Sequence, residues 1–185
     1  MIKQLTSEEI TNIFNQHIIH DFPKNEVRDL RSMLKLKQQA IYQTYGYYEN
    51  NELLAYAFFA KSLQSNAILL DYFAVVEKYR NQNIGSQFLT DLTHLLKQFV
   101  ILAEVESVES SPNQQVSRLR QKRIDFYMRN GFKQSSLSLT LFHVHYNIIY
   151  FFQSPLTLTD IKFHLDLIYH QFFNDDLINK YIKFD

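Results

Sequence analysis

The chain has 185 residues, 46% hydrophobic and 21% charged, a composition typical of one folded domain with its own core. Its formal net charge is zero, which argues against nucleic acid or a membrane surface as a partner. Cysteine is absent, which excludes disulfides, thiolate metal sites and a cysteine nucleophile. The first ten residues lack the apolar core of a signal peptide. Together with the absence of cysteine, this favours a cytoplasmic protein.

The first part of the chain predicts two helices followed by a β-hairpin. The T-x-x-E pattern at 6–9 is a capping box, and it predicts the start of a helix. Phe22-Pro23 ends that helix, and a second helix follows. Two strands then meet at Asn50-Asn51, a common hairpin turn. The predicted apolar faces are Ile10, Phe14 and Ile18 on the first helix, and Val27, Leu30 and Leu34 on the second.

The middle of the chain predicts two buried strands that flank a helix. An almost continuous apolar run at 67–76 is typical of a strand buried on both faces, and 100–106 forms another. The strand–helix–strand order implies a parallel pair joined by a right-handed crossover. The helix between them has five apolar residues near helical spacing: Ile84, Phe88, Leu92, Leu95 and Phe99.

The last part of the chain predicts a helix, two strands and a final helix. The helix QVSRLRQKRIDFYMRNGF is closed by Gly131, and alternation at 135–152 indicates the strands. Thr159 is the predicted cap of the final helix. The fold class is therefore α/β or α+β, with a mixed sheet flanked by helices. The apolar face predicted for the final helix is Ile161, Leu165, Ile168 and Phe172.

The turn RNQNIGS, between the first buried strand and its helix, has the means to bind an anion. Arg80 supplies a positive charge, and amides from about Gln82 to Ser86 point outward at the positive end of the helix dipole. Taken alone, the turn is equally consistent with simple chain reversal, since strand–turn–helix connections are common. It is neither a Walker loop nor a Rossmann fingerprint. Its chemistry suits a pyrophosphate.

The segment AVVEKYRNQNIGSQFL resembles motif A of the GNAT superfamily of N-acetyltransferases, whose pyrophosphate loop is [Q/R]-x-x-G-x-[G/A]. Arg80 matches the first position and Gly85 the last. Asn83 stands where the first glycine belongs, and asparagine tolerates positive φ better than other non-glycine residues. KRIDFYMRNGF at 122–132 resembles the end of the family's last core helix, and ILAEVE resembles its fifth strand.

The resemblance implies a single acetyltransferase domain over 1–185, with 153–185 as a C-terminal helical extension. It implies a GNAT-like mixed sheet whose central parallel strands splay. Acetyl-CoA is the implied acetyl donor, no metal is needed, and a primary amine attacks the thioester directly. The acceptor, a small-molecule or peptide amine, is left open, as is a homodimer. The residues implied in cofactor binding are Phe73, Ala74, Val75, Arg80, Asn81, Gln82, Asn83, Ile84, Gly85 and Ser86.

Four residues are implied or candidate catalytic groups. Tyr127 matches the family tyrosine that donates a proton to the departing thiolate, although it would also suit an aromatic core beside Phe126 and Phe132. Glu104 and Glu106 share one face of the strand at 100–106 and are candidate bases. Glu104, deeper in the strand, is preferred, and Asp71 is a third candidate.

Further expectations concern an alternative function, four histidines and a basic run. The alternative function is a catalytically silent acyl-CoA-binding regulatory module, for which the asparagine at position 83 is the only support. His143 and His145 are predicted to lie on one strand face with a structural role, because two imidazoles do not complete a zinc site. His17 and His20 are candidate substrate contacts. The basic run is predicted to form a solvated helix face, part of which is able to meet the 3′-phosphate of coenzyme A: Arg118, Arg120, Lys122 and Arg123.

Overall fold

A computed structural model describes all residues, 1–185, as seven α-helices and eight strands. The strands are β1 Ile2–Gln4, β2 Tyr42–Glu49, β3 Glu52–Lys61, β4 Ala67–Val75, β5 Val100–Glu106, β6 Lys133–Leu141, β7 Val144–Phe151 and β8 Ile182–Phe184. The helices are α1 Ser7–Ile13, α2 Ile19–Asp21, α3 Leu30–Gln38, α4 Ile84–Leu95, α5 Gln114–Arg129, α6 Leu158–Tyr169 and α7 Asp175–Tyr181. A π-helical turn, Phe14–Ile18, joins α1 to α2, and a 3₁₀ turn, Glu77–Tyr79, precedes α4.

The strands belong to one mixed sheet in the order β1-β2-β3-β4-β5-β7-β6-β8. This confirms the predicted fold class; the parallel pairing and the splay of the strands at 67–76 and 100–106 stay predictions. The chain divides into two compact units, of which the first contains 1–61 and 70–92 and the second contains 62–69 and 93–185. β1, β2 and β3 lie in the first unit, and β5 to β8 lie in the second.

The hairpin of β2 and β3 forms the centre of the first unit. Asn50 and Asn51 have φ of 48° and 67°, the left-handed pair that a two-residue turn of this twist requires, so the predicted turn is confirmed. Burial along β3 is nearly continuous, because both faces of this central strand are covered. The largest fully buried side chains of the hairpin are Tyr56, Phe58 and Phe59.

The first helix begins as predicted, whereas the second differs from its predicted face. Thr6 and Glu9 form both bonds of the capping box. α3 starts only at Leu30, because the Asp29 carboxylate accepts from Ser32 N at 3.0 Å and caps the helix there. Val27 therefore precedes the helix, and the buried face of α3 is Met33 and Leu36. The predicted apolar face of the second helix was wrong, because the count began at Val27, which precedes the N-cap Asp29.

In the second unit, the end of α5 follows its prediction closely. Gly131 has φ of 87°, and its N–H donates to the Met128 carbonyl at 3.1 Å. The Phe132 N–H donates to the Tyr127 carbonyl, also at 3.1 Å. These two bonds form a Schellman motif, in which glycine adopts the left-handed backbone without steric cost. Gly131 is therefore the confirmed C-terminal cap.

The caps and faces of α4 and α6 correct the sequence analysis. The cap of α6 is Thr157, which forms a capping box with Asp160, and Thr159 lies inside the helix. Phe172 lies beyond the end of α6, although the other three predicted residues are buried. In α4, Leu95 is 50% exposed, because the neighbouring Leu96 is the buried residue at this end of the helix. Phe99, also predicted on the buried face, lies after the end of the helix. The fully buried residues of this region are Phe88, Leu89, Leu92 and Leu96.

Three elements have no counterpart in the sequence analysis: β1, α7 and β8. β8 pairs antiparallel with β6 through Leu139↔Phe184, so the segment 153–185 contributes a strand as well as two helices. His143 lies in the turn between β6 and β7 with φ of 71°, so only His145 belongs to a strand and the predicted shared face is wrong. Nowhere does the chain form a helix long and apolar enough to cross a membrane.

Candidate active site

The turn between β4 and α4 has two residues with left-handed backbone. Asn81 and Asn83 have φ of 63° and 64°, and the Asn83 carbonyl accepts from Gln87 N at 3.1 Å to begin α4. Asparagine is among the few non-glycine residues that adopt this conformation readily. The position where a glycine is expected therefore has the backbone that glycine favours. Gly85 lies in the first turn of α4.

Arg80, at the start of this turn, is held by two contacts. Its Nη2 lies 2.5 Å from Asp21 Oδ1, and its Nε donates to the Val75 carbonyl at 3.1 Å. The Tyr56 hydroxyl donates to the other Asp21 oxygen at 2.8 Å. Burial and the neighbouring carboxylate raise the pKa of Tyr56, so its hydroxyl remains a donor. The Arg80 side chain is still 47% exposed and is able to meet an anion.

An aromatic stack joins the C-terminal part of β4 to α4. The Phe73 and Phe88 rings are stacked at 5.7 Å with 19° between their planes. Tyr47 of β2 stacks on the same Phe88 ring at 5.2 Å. Phe88 is fully buried, so the stack fixes the strand and the helix on either side of the turn. The backbone of Phe73, Ala74 and Val75 is therefore presented by a rigid strand end.

Asp71, the third candidate base, has partners that the sequence does not reveal. Its carboxylate accepts a hydrogen bond from the Tyr42 hydroxyl. Arg28 Nε donates to the same hydroxyl at 3.0 Å and lies 4.0 Å from the carboxylate. Burial raises the pKa of Asp71, and the charge of Arg28 opposes that shift. Since the carboxylate is bonded within its own cluster, a structural role fits Asp71 better than a role as base.

Tyr127 lies on α5 and is 8% exposed. Its ring packs edge-on against Phe126 and Phe132, at 5.3 and 5.2 Å between ring centroids. The aromatic contacts expected from the core interpretation are therefore present. Burial raises the pKa of Tyr127 to about 12, although Arg123 opposes the shift. The hydroxyl consequently carries its proton at neutral pH, which is the state that a proton donor needs.

Glu104 and Glu106 lie on the same face of β5 but have different partners. The Glu104 carboxylate accepts a hydrogen bond from the Tyr169 hydroxyl of α6. Glu106 forms ion pairs through both oxygens, with Arg120 Nη2 at 2.5 Å and Arg123 Nη1 at 3.2 Å. Neither Glu106 oxygen is able to take a proton from an amine without loss of an ion pair. Glu104 is therefore the better placed of the two candidate bases.

The arginine pairs correct part of the predicted solvated helix face. The Arg120 side chain is only 11% exposed, and its Nη1 also donates to the Ser107 carbonyl at 2.8 Å. Arg118 is exposed as predicted. Tyr169 was missed altogether, yet a signal existed, because it follows Leu165 by four residues on the apolar face of α6. Asp21, the partner of Arg80, has no role in the sequence analysis either.

The histidines proposed as substrate contacts lie at the end of the first helical segment. His17 belongs to the π-helical turn, and its ring centroid lies 6.1 Å from that of Tyr56. His20 is exposed on α2. In the other unit, His145 Nδ1 lies 3.2 Å from the Thr140 hydroxyl. No group of three or more histidine, aspartate or glutamate side chains is placed to hold a metal ion.

Residues 38–134, just over half of the chain, match the family described as Acetyltransferase (GNAT) domain. The chain belongs to the GNAT acetyltransferase family. The match covers every residue proposed here for the cofactor and for catalysis. The family uses acetyl-CoA, and the donors of the Arg80–Ser86 turn, a guanidinium and the amides at a helix N-terminus, fit its pyrophosphate. No curated protein is similar enough in sequence to count as a match.

Solved structures of other GNAT proteins share the fold. An acetyltransferase of the family from Bacteroides thetaiotaomicron is 16% identical with a TM-score of 0.73, covering 90% of this chain and 95% of that one. The ribosomal-protein-S18-alanine N-acetyltransferase of Escherichia coli is 17% identical with a TM-score of 0.60 (85% and 96%). The spermidine N-acetyltransferase of Vibrio cholerae, in complex with CoA and spermine, is 8% identical with a TM-score of 0.58 (82% and 94%).

Proposed function

We propose that this protein transfers an acetyl group from acetyl-CoA to a primary amine by direct attack on the thioester. The observation that carries the proposal is the turn at Arg80–Ser86. It has the family's motif, left-handed backbone at Asn81 and Asn83, and a long helix beginning at Ile84. This combination supports a pyrophosphate site. We further propose that residues 1–185 form one acetyltransferase domain of a cytoplasmic enzyme.

In this proposal, the turn and the end of β4 bind the donor. The Arg80 guanidinium and the backbone amides from Gln82 to Ser86 hold the pyrophosphate. The backbone of Phe73, Ala74 and Val75 pairs with the pantetheine arm, and the stack of Phe73 on Phe88 keeps that strand end rigid. The contacts are of the charge-assisted and backbone kinds that bind phosphate and amide groups elsewhere.

Tyr127 is the proposed general acid. As the amine nitrogen attacks the carbonyl carbon, the carbon–sulfur bond breaks and the sulfur takes the tyrosine's proton. Burial raises the pKa of Tyr127 to about 12, so its hydroxyl holds a proton at neutral pH that the thiolate is able to take. Its packing against Phe126 and Phe132 holds the ring in one orientation, so the two interpretations of this residue are compatible.

Glu104 is the proposed base, which takes a proton from the attacking amine directly or through water. Glu106 has the supporting role of an ion-pair partner for Arg120 and Arg123. The Glu104 carboxylate would attract a cationic amine before it is deprotonated, whereas the charge of Glu106 is compensated by its two arginines. The acceptor is a small-molecule or peptide amine, consistent with structural neighbours named for spermidine and for ribosomal-protein alanine.

The second candidate function is a silent acyl-CoA-binding module. One observation favours it: Arg80 is already paired with Asp21, so a bound pyrophosphate has to compete with a carboxylate. Asn83 in place of glycine points the same way, although its φ of 64° weakens that point. A module of this kind would keep the cofactor site and would not need a base or an acid.

The test is thiol release from acetyl-CoA with a panel of amines that includes spermidine and a peptide with N-terminal alanine. An enzyme releases CoA thiol with at least one amine, and mass spectrometry finds the acetylated product. A silent module raises its melting temperature with acetyl-CoA but releases no thiol with any amine. A chain that neither binds nor reacts would contradict both functions.

A further inference from the structure

We propose that Tyr169 is a positioning residue for Glu104: its hydroxyl holds the carboxylate in the ionised, oriented state in which it takes the amine's proton. The inference rests on the proposed function and goes beyond it. Tyr169 lies outside the segment that matches the family and 65 residues from Glu104. The C-terminal helix thereby acquires a part in catalysis that the family resemblance does not imply.

The anchoring of α6 supports this assignment. Tyr169 is the last residue of the helix, is 2% exposed, and follows the buried side chains of Leu165 and Ile168. Its carbonyl accepts from both Phe172 N and Phe173 N at 2.9 Å, which fixes the end of the helix. A capping box at Thr157 fixes the other end. The hydroxyl is therefore presented to Glu104 from a rigid element, as precise positioning requires.

The electrostatics keep Tyr169 in the donor state. Burial and the negative charge of Glu104 raise its pKa well above that of an ordinary tyrosine, so its proton remains on the hydroxyl. The other groups facing this hydroxyl are Tyr146 of β7 and Asp166 of α6, and both raise its pKa further. On β5, Glu106 is the nearest acid along the strand, and its charge is compensated by Arg120 and Arg123 of α5.

A donor of this kind stabilises the ionised carboxylate. When the hydroxyl is removed, the Glu104 carboxylate loses a hydrogen bond to its charged form, so the carboxyl binds a proton more tightly. The acidic limb of the kcat/KM profile, where the base becomes protonated, then moves to higher pH. We expect a shift of about one pH unit and a fall in kcat of about 10-fold, with KM for acetyl-CoA unchanged.

The decisive variant is Tyr169→Phe, which keeps the ring and removes the hydroxyl. Its matched control is Tyr150→Phe, because Tyr150 is another buried tyrosine of the same unit. The Tyr150 hydroxyl accepts one long hydrogen bond, from the Leu156 N–H at 3.5 Å. We expect the acidic limb to move in Tyr169→Phe and to stay in Tyr150→Phe, with similar melting temperatures. An unmoved limb in Tyr169→Phe overturns the proposal.

A double-mutant cycle separates positioning from general packing. In a Glu104→Gln background, the amide cannot take a proton from the amine. Removing the Tyr169 hydroxyl should then lower kcat little further, so the losses in kcat of the two single variants are not additive. Fully additive losses in kcat would mean that Tyr169 acts on the fold and not through Glu104, which contradicts the proposal.

A final measurement distinguishes failure of the inference from failure of the proposed function. Carboxyl ¹³C NMR of the full chain follows the titration of Glu104 without any substrate. If the wild type acetylates an amine but the Glu104 midpoint is the same in Tyr169→Phe, the function stands and the positioning role is wrong. If no amine is acetylated by the wild type, the proposed function fails and the catalytic role of Tyr169 fails with it.

Discussion

Arg80 and Asp21 form an ion pair across 59 residues of sequence, with 2.5 Å between Nη2 and Oδ1. The arginine of the proposed phosphate-binding turn is thus bound to a carboxylate at the end of α2. The pair orients the guanidinium, and it also offsets the positive charge that a pyrophosphate would meet. Binding measurements with acetyl-CoA decide whether the orientation of the guanidinium or the loss of positive charge has the larger effect on affinity.

Arg80→Ala should weaken acetyl-CoA binding, because a charge-assisted contact to phosphate is worth roughly 1.5–3 kcal/mol. The half-exposed position of the side chain puts the expected loss at the lower end of that interval. Isothermal titration calorimetry measures it. Lys78→Ala is the control, since Lys78 is a nearby cation, paired with Glu52, that lies outside the Arg80–Ser86 turn. Equal dissociation constants for Arg80→Ala and the wild type would remove Arg80 from the phosphate site.

Asp21→Asn should tighten acetyl-CoA binding by a few-fold, because it removes the competing negative charge while the amide oxygen still accepts from Tyr56. The gain should be greatest at low salt and should shrink as ionic strength rises. Calorimetry at two salt concentrations checks both points. Weaker binding in Asp21→Asn would mean that orientation of Arg80 matters more than the charge it loses.

Asn83→Gly should bind acetyl-CoA as well as the wild type or better, since glycine relaxes a backbone held at φ of 64°. Asn83→Ala keeps the Cβ but removes the side-chain amide that lets asparagine adopt the left-handed conformation, and it should cost about 1 kcal/mol of folding stability. Urea unfolding and calorimetry on both variants make the comparison. A marked loss of affinity in Asn83→Gly would show that the asparagine side chain itself contacts the ligand.

Tyr127→Phe and Glu104→Gln should fail in different ways. Tyr127→Phe should keep its affinity for acetyl-CoA and lose about 10²–10⁴-fold in kcat. Because the pKa of Tyr127 is raised to about 12, its donor form persists up to that pH, and the wild type should show no alkaline loss from this group below it.

The pH dependence of the two variants distinguishes their roles. The defect of Glu104→Gln should shrink as pH rises toward the amine's own pKa, since more acceptor then arrives neutral. Tyr127→Phe should show no such recovery, because higher pH does not supply the missing donor. Rate profiles against wild type give the answer. A uniform loss in Glu104→Gln across pH would leave Glu104 as a residue that orients substrate.

Gly131→Ala should destabilise the protein by about 1–2 kcal/mol, because φ of 87° is strained for any L-residue and the added Cβ would lie 3.2 Å from the Phe151 ring. Gly131→Asn should cost less in backbone strain, since asparagine tolerates this region. Urea unfolding of both variants measures the difference. Equal stability of Gly131→Ala and wild type would argue against the Schellman cap.

Local chemistry explains which parts of the fold could be predicted. The Asn50-Asn51 turn and the cap at Gly131 depend on residues close in sequence, and both follow from backbone preferences alone. The cap of α6 was misplaced from Thr157 to Thr159, because two threonines compete and only the capping box with Asp160 decides between them. Short strands such as β8 have too few residues for a periodic pattern.

The partners of the candidate site could not be predicted in the same way. Two motifs identified Arg80 and Tyr127, and the acidic face of the strand at 100–106 identified Glu104. The partners of Arg80 and Glu104 come from distant segments. Asp21 and Tyr169 lie 59 and 65 residues away from the groups they contact. Such pairs are set by tertiary packing, which no local spacing encodes. Sequence reasoning therefore finds the reactive groups more readily than the residues that hold them.

The two outermost strands of the sheet bear on how copies of this chain are able to associate. β1 and β8 have three residues each, and each has a lysine at its centre, Lys3 and Lys183. Short edges with a charged side chain are poor templates for another strand, because few main-chain bonds would form and a lysine would have to be desolvated. Sheet extension from one copy to the next is thus disfavoured at either edge. A homodimer of this protein would have to use helix or loop surfaces, and the same edges would guard the folded chain against fibrous aggregation.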